Sequence, residues 1–447
     1  MKRFLLYIVL IGFFVGVTLA WWNGTRTFFD AGVFTASGWA GIARLTGIYA
    51  ALLLPFQLII IGRVKWVETV FGLDKLSRVH RVNGLIILGL IVAHPVLMVL
   101  SYAHLNETGI IAQYFLFLQG GVGEIFEATI GVLILLGTII WSLSIVRRKL
   151  KYEWWYYVHL FNYFGAALIF LHVKEMAGTS QYIAWPIFWI ALYVLTALNV
   201  IWFRFLRPSL RFWQHQFTVS KVEDLGIATS IYISGRNLDK FKIDAGQFMI
   251  FRFLQVGFWT QAHPFSLSWA PPTPSTPGNH KELRITAKKL GDYTNELPKI
   301  KVGTQVLIDG PHGIFTEKVI SKEKLLFIAG GIGITPIRSL LENLDGRHTD
   351  KVLLYSNKTA SETVLASELG DLAKQYKFKI INIYADEKVA GAEQGRLDKD
   401  MLSRLVPDIS DRDIFLCGPP PMMLALRAAM IELGVPKDQI HFERFAL

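Results

Sequence analysis

One cysteine, Cys417, stands in a chain of 447 residues. A lone thiol excludes a disulfide framework and any zinc or iron–sulfur centre built from several cysteines. Charge is also scarce. Asp, Glu, Lys and Arg make up 18% of the chain, against about 25% in soluble domains, so a wholly soluble protein is disfavoured. There is no internal repeat. What is plentiful is hydrophobic surface, 52% of residues, with 13% aromatic, a composition that excludes intrinsic disorder. The length suggests two or three domains. A net charge of +11 resembles a nucleic-acid signal until it is located. Residues 1–210 hold 16 Lys and Arg against 8 Asp and Glu, whereas residues 211–447 hold 30 against 27. The basic excess sits in the apolar half, as in the cytoplasmic loops of a membrane protein, and argues against a nucleic-acid partner.

Apolar runs lie at about 4–22, 45–62, 82–103, 122–146, 155–173 and 182–203. Each has roughly the 17–25 residues that cross a lipid bilayer as a helix. The first follows Lys2 and Arg3 as a signal peptide would, but it runs long and lacks a small-x-small site before Trp21 and Trp22, so it reads as an uncleaved span. With the N-terminus inside, thirteen basic residues from Lys2 to Arg207 fall on inside segments and only Arg26, Arg44 and Lys174 outside. This bias predicts six spans in a plasma (inner) membrane, with the N-terminus and the C-terminal half cytoplasmic.

Beyond Pro208 the pattern changes. Short alternating runs at 217–222, 229–234, 247–253, 283–288 and 305–308 predict an antiparallel β-barrel, and 271–279 reads as a surface loop. From Lys324 the order becomes strand, glycine-rich turn, helix, with further β-runs at 351–355, 378–384 and 413–417, which predicts a doubly wound parallel α/β sheet. The expected fold is multi-domain: a six-helix transmembrane bundle over 1–210, a barrel over 211–320 and an α/β domain over 321–447.

Four histidines stand at membrane depth. His80 and His94 are on the third span, His159 and His172 on the fifth. Ionisable residues in a span are costly and are functional candidates by default, and imidazole is a common axial ligand of haem iron. Spans three and five run the same way, so His80 pairs with His159 and His94 with His172. Separations of 14 and 13 residues place the two pairs roughly 20 Å apart along the axis. Two stacked haems would form an electron path across an insulating core of about 30 Å. Fourteen residues return to within ~40° of the same helix face, but thirteen miss by ~140°. The fifth helix is therefore expected to tilt, overwind or break near Asn162 or Gly165.

In the C-terminal half, His263-Pro264-Phe265-Ser266 offers a flavin a flat neighbour (Phe265) and a hydroxyl (Ser266). Lys288-Lys289-Leu290-Gly291-Asp292-Tyr293-Thr294 offers a diphosphate two cations, a tight turn and a hydroxyl. Gly330-Gly331-Ile332-Gly333-Ile334-Thr335-Pro336 follows an apolar strand and opens a helix, as a pyrophosphate-binding turn does. It is not a Walker loop, because no Gly-Lys-Ser/Thr follows. Cys417-Gly418-Pro419-Pro420 ends a β-run where such sheets bind dinucleotides. Ser356 and Lys358, after the second α/β strand, suit a 2′-phosphate and favour NADPH over NADH. No acid precedes Glu362 in that stretch.

Six spans with His pairs, then H-P-F-S, G-D-Y-T, G-G-I-G-I-T-P and C-G-P-P in that order, resemble the NADPH oxidase/ferric reductase superfamily, and the C-terminal half alone resembles ferredoxin–NADP reductases. The resemblance implies two b-type haems on His80, His94, His159 and His172. It implies FAD on His263, Pro264, Phe265, Ser266, Gly291, Asp292 and Thr294, with His263 where many soluble relatives carry Arg. It also implies a pyridine nucleotide on Gly330, Gly331, Gly333 and Thr335, with Cys417 and Gly418 beside the nicotinamide. Phe445 would be the aromatic residue against the flavin, and Arg44 would lie near the outer haem. The activity implied is transmembrane electron transfer from cytoplasmic NAD(P)H through FAD and haem to oxygen, to ferric iron or to a partner protein. Residues 104–121, between spans three and four, read as a short loop without Lys or Arg and show no chelate-binding patch. The rival reading is a membrane-anchored flavin reductase module without haem, serving a protein partner.

Overall fold

The structure, a computed structural model, describes residues 2–120, 122–143, 152–178, 183–271, 281–344, 348 and 350–443. The chain forms two compact units, one of Met1–Phe71 with Lys75–Phe205, the other of Leu206–Leu447 with Gly72–Asp74.

Among the described residues six helices are long and apolar enough to span a bilayer: Phe4–Phe29, Ala36–Ile61, Leu73–Leu105, Glu124–Ser142, Glu153–Ala177 and Ala184–His215. Side chains such as Ile11, Leu133, Phe161 and Leu195 point outward, as a lipid solvent favours. Several hydroxyls are satisfied within their own helices: those of Thr18, Thr129 and Thr196 each donate to the carbonyl four residues back. The second span starts where Thr35 accepts a hydrogen bond from the Gly38 amide at 3.2 Å. The fourth and fifth spans meet closely at Gly131 and Gly165. A Cβ on Gly131 would lie 2.9 Å from the Gly165 carbonyl oxygen, so only small residues allow this crossing.

One expectation is narrowed here and another corrected. The fifth span is one unbroken helix, Tyr152–Gly178. It carries both His159 and His172 without a break at Asn162 or Gly165. The connection after the third span is not a plain loop but contains the apolar helix Ile110–Gly120. It is too short to cross a bilayer and is tied down by its buried Gln113, which accepts from Asn106 at 2.9 Å and Thr108 at 3.0 Å. A further short helix, Lys65–Phe71, also escaped the hydropathy pattern.

The second unit begins with six strands: β1 (Thr218–Asp224), β2 (Ala228–Ser234), β3 (Phe248–Phe253), β4 (His263–Ser266), β5 (Leu283–Lys288) and β6 (Val306–His312). They form two antiparallel sheets, ordered β1-β2-β5 and β4-β3-β6. Alternate residues such as Ile231, Ile233, Met249, Phe251, Phe253, Leu283 and Ile285 fill the interior. Burial of each such side chain contributes about 1.5–3 kcal/mol.

Six parallel strands follow: β7 (Lys324–Gly330), β8 (Lys351–Asn357), β9 (Lys379–Tyr384), β10 (Glu393–Gln394), β11 (Arg412–Cys417) and β12 (Ile440–Phe442). Their order is β10-β9-β8-β7-β11-β12. Along β7, Leu325, Phe327 and Ala329 pack with Ile337, Leu340 and Leu369 from helices Ile334–Asn343 and Ala366–Tyr376. The intervening Leu326 and Ile328 pack with Leu402, Met423 and Leu426 from helices Lys399–Leu405 and Pro420–Glu432. The period of two thus covers both faces and makes the sheet doubly wound.

A buried ion network joins barrel to sheet. Arg284 on β5 donates to both Glu368 oxygens at 2.8 and 2.9 Å. Arg338 donates to Glu368 at 3.0 Å and to Glu342 at 2.9 Å, and Glu342 accepts from the Ala270 amide at 2.7 Å. Burial alone would raise the Glu368 carboxyl, but the two guanidiniums hold it below the usual range.

Candidate functional site

In the membrane unit the four histidines meet in two pairs. The ring centres of His80 and His159 are 6.1 Å apart with planes at 71°, and those of His94 and His172 are 6.5 Å apart at 52°. Two imidazoles bound to one metal ion through bonds of about 2 Å bring their ring centres to about 6 Å of each other. Among the described residues no group of three or more His, Cys, Asp or Glu is placed to hold a metal ion. Two donors per level suit an iron whose other ligands come from a macrocycle, so the residues fit haem.

The remaining ring nitrogens are held unequally. His94 Nδ1 lies 2.8 Å from the Ala43 carbonyl oxygen. His159 Nδ1 lies 3.0 Å from Ser142 Oγ. The Ser142 hydroxyl donates to the Thr138 carbonyl at 2.7 Å and accepts from Trp155 Nε1 at 3.0 Å, so Nδ1–H is the donor toward it. Both contacts leave Nε2 with the lone pair that a metal needs. Nδ1 of His80 and of His172 has no hydrogen-bond partner among the described residues, and the Gln57 amide nitrogen stands 3.4 Å from His80 Nε2, beyond the usual hydrogen-bond range. Arg44 reaches Tyr102 Oη at 3.3 Å and lies 4.5 Å over the Phe28 ring.

On the barrel, β4 carries His263-Pro264-Phe265-Ser266 as a strand paired with β3, Phe251 opposite His263 and Met249 opposite Phe265. The His263 ring centre lies 3.8 Å from that of Tyr293, which brings together the two motifs that the sequence offers to a flavin. Sequence reasoning passed over Tyr293, because only the fold sets it against His263. The turn expected to hold a diphosphate is closed on itself. Thr294 Oγ1 accepts from the amides of Leu290 at 2.9 Å and Gly291 at 3.1 Å. Asp292 opens the short helix that follows. The two expected cations are also engaged: Lys289 pairs with Asp224 at 2.7 Å and Lys288 with Glu362 at 2.5 Å. Carboxylates brought in from β1 and from beyond β8 neutralise them, which local sequence does not reveal.

In the sheet, β8 lies to one side of β7 and β11 to the other, so the strand order reverses between β7 and β11. That switch point is where dinucleotides bind. Both glycine motifs stand there, since Cys417 pairs with Ala329 across the two strands. A Cβ on Gly333 would strike the Cys417 carbonyl oxygen, and one on Gly418 would lie 3.1 Å from Gly330 Cα. Gly331 adopts φ +53°, a conformation that favours glycine. Thr335 is buried and donates to the Ile332 carbonyl at 3.1 Å. The Cys417 thiol is fully buried; burial and the neighbouring Glu443 push its pKa well up, so it is a neutral thiol. Glu443, which is buried, went unnoticed in the sequence, since only the fold sets it beside Cys417. Ser356 pairs with Gly330, and Lys358 is exposed just beyond. No acid precedes Glu362 in this stretch of the chain, but the fold brings Glu387 to the same turn, where it accepts from the Ala360 amide at 2.7 Å. Phe445 lies outside the described residues.

Residues 46–170 match the family "Ferric reductase like transmembrane component", and residues 327–428 match "Oxidoreductase NAD-binding domain". By these matches the chain carries a ferric reductase-like transmembrane region followed by an oxidoreductase-type NAD-binding region. Flavohemoprotein A of Dictyostelium discoideum is 31% identical over 35% of this chain and 39% of its own length. The ferredoxin reductase component of 3-ketosteroid-9-alpha-monooxygenase from Rhodococcus rhodochrous is 31% identical over 46% of this chain and 57% of its own. The chain thus spans about half the length of these curated relatives, from 39% to 57%. The FAD/NAD-binding domain of nitric oxide dioxygenase from Vibrio cholerae O1 biovar El Tor is 26% identical, with a TM-score of 0.45 over 51% of this chain and 96% of that one.

Proposed function

We propose that the protein carries electrons from NAD(P)H on one side of a membrane to an acceptor on the other, using FAD on the barrel and two b-type haems on His80/His159 and His94/His172. The observation that carries this reading is the pairing of four histidines, two by two, at ring separations of 6.1 and 6.5 Å on two apolar spans of a chain that also holds a dinucleotide-type sheet. When bound, FAD accepts a hydride and releases single electrons, which haem iron takes one at a time.

The chain's own residues supply position and insulation. Gly330, Gly331 and Gly333 let backbone approach the nucleotide pyrophosphate, with Thr335 fixing the start of the next helix. Cys417 and Gly418 place the nicotinamide at the switch point, and the neutral thiol adds no charge there. His263, Pro264, Phe265 and Ser266 seat the flavin, Gly291, Asp292 and Thr294 shape the turn for its diphosphate, and Phe445 covers its face. Ser356 and Lys358 favour the 2′-phosphate of NADPH. The apolar spans exclude water and ions. Arg44 holds positive charge at the far end of the path, suited to oxygen becoming superoxide or to a ferric chelate. The bias of basic residues supports a cytoplasmic N-terminus and reductase unit in a plasma (inner) membrane.

The test is a reduced-minus-oxidised absorption spectrum of the purified chain with haem and flavin quantified. The reading expects two b-type haems and one FAD per chain. Flavin without haem would replace it with the membrane-anchored reductase.

A further inference from the structure

The second span, Ala36–Ile61, comes unusually close to one histidine. A Cβ on Gly47 would lie 2.6 Å from Nδ1 and 2.7 Å from Cε1 of His94, far inside the ~3.5 Å of an ordinary contact. One turn earlier the Ala43 carbonyl oxygen, which also accepts from Thr46 Oγ1 at 2.7 Å, lies 2.8 Å from the same Nδ1. Among the described glycines, Gly47 is the one whose added Cβ would meet a histidine ring. The imidazole is therefore bounded on one side by bare backbone and anchored by a carbonyl that cannot rotate away. A carbonyl at Nδ1 fixes both the tautomer and the ring plane, and leaves Nε2 as the free lone pair.

We infer that Gly47 is a positioning residue: with the Ala43 carbonyl it forms a seat on the second span that sets the orientation of His94 as a haem ligand. The inference rests on the reading that His94 and His172 hold a haem. Any side chain at position 47 has to push the ring off the seat, because the neighbouring atoms belong to the ring itself and not to a flexible chain end.

The experiment uses the full-length chain in detergent. For Gly47→Ala, haem content is read by pyridine haemochrome, the ferric low-spin signals by electron paramagnetic resonance, and both midpoint potentials by redox titration. The expected result is a changed signal and potential for one haem only, with about tenfold or greater weakening of its retention. Gly89→Ala, on the third span with nothing within 4 Å of an added Cβ, should leave both haems as in the wild type. Gly47→Ala with both signals, both potentials and haem retention unchanged overturns the inference. If Gly47→Ala does not accumulate, the double variant Gly47→Ala/His94→Ala decides. Accumulation equal to that of His94→Ala alone shows that the ring was the obstacle, whereas failure where His94→Ala succeeds shows a packing role and overturns the seat. A wild-type protein without the second haem removes the underlying reading, and does so before any variant is made.

Discussion

Nδ1 of His159 and the hydroxyl oxygen of Ser142 stand 3.0 Å apart, joining the fifth span to the fourth. Since Ser142 spends its own proton on Thr138, it is a fixed acceptor for the imidazole. Ser142→Ala removes that acceptor and leaves ring orientation to Trp155 stacking, 5.2 Å away, and to the Asn162 amide nitrogen 3.3 Å from Nδ1. Haem retention at the His80–His159 pair should weaken about 10- to 100-fold, with the other pair unaffected. Haem loss into apomyoglobin, followed as two phases, measures this.

Gly333 has no room for a Cβ, because the Cys417 carbonyl occupies the place. Gly333→Ala should part the two turns at the switch point at a cost of about 1–3 kcal/mol. Passed on to the nucleotide, that is roughly a 10- to 100-fold rise in KM, with flavin content unchanged. Steady-state kinetics with a soluble dye as acceptor would show it, and an unchanged KM would remove the glycine turn from the nucleotide site.

Nucleotide choice turns on the edge after β8. Lys358→Ala should raise the apparent KM for NADPH more than that for NADH, and equal effects would take Lys358 out of the site. At the flavin itself, Phe445→Ala should alter flavin absorbance and nucleotide affinity in a folded protein. A loss of stability with both unchanged would exclude the covering role.

Asp408 bears on stability and not on electron transfer. Hydrogen bonds from Arg412 at 2.9 and 3.0 Å, and then from Lys324 at 2.8 Å, hold its carboxyl down at about 2. A pKa lower when folded than when unfolded means stability that is complete above the unfolded value of about 4 and lost as pH falls toward about 2. Asp408→Asn should therefore lower the Tm near neutral pH. The gap to wild type should narrow between about pH 4 and about pH 2, read by thermal melts of the full chain.

The six spans were legible because length and hydropathy are properties of consecutive residues. The alternation along β7, with Phe327 to one face and Ile328 to the other, was legible for the same reason. The spacing of the four histidines announced their pairing. What escaped depends on partners far away in the chain. Gly47 and Ala43 are ordinary span residues until His94 packs on them. Tyr293 gains meaning from His263, Lys288 loses its free charge to Glu362, and Glu387 arrives at the β8 edge from the end of β9. Of the three ways the helical wheel left open for the fifth span, tilt, overwinding or a break, the continuous helix excludes the break.

The central claim is that electrons cross the bilayer. The direct measurement places the full-length protein in sealed vesicles with ferricyanide trapped inside and NADPH supplied only outside. Trapped ferricyanide should be reduced in wild-type vesicles. In His94→Ala vesicles that reduction should stop, while flavin reduction by NADPH persists. Reduction confined to acceptors on the NADPH side, or trapped ferricyanide reduced equally well by His94→Ala, would contradict it.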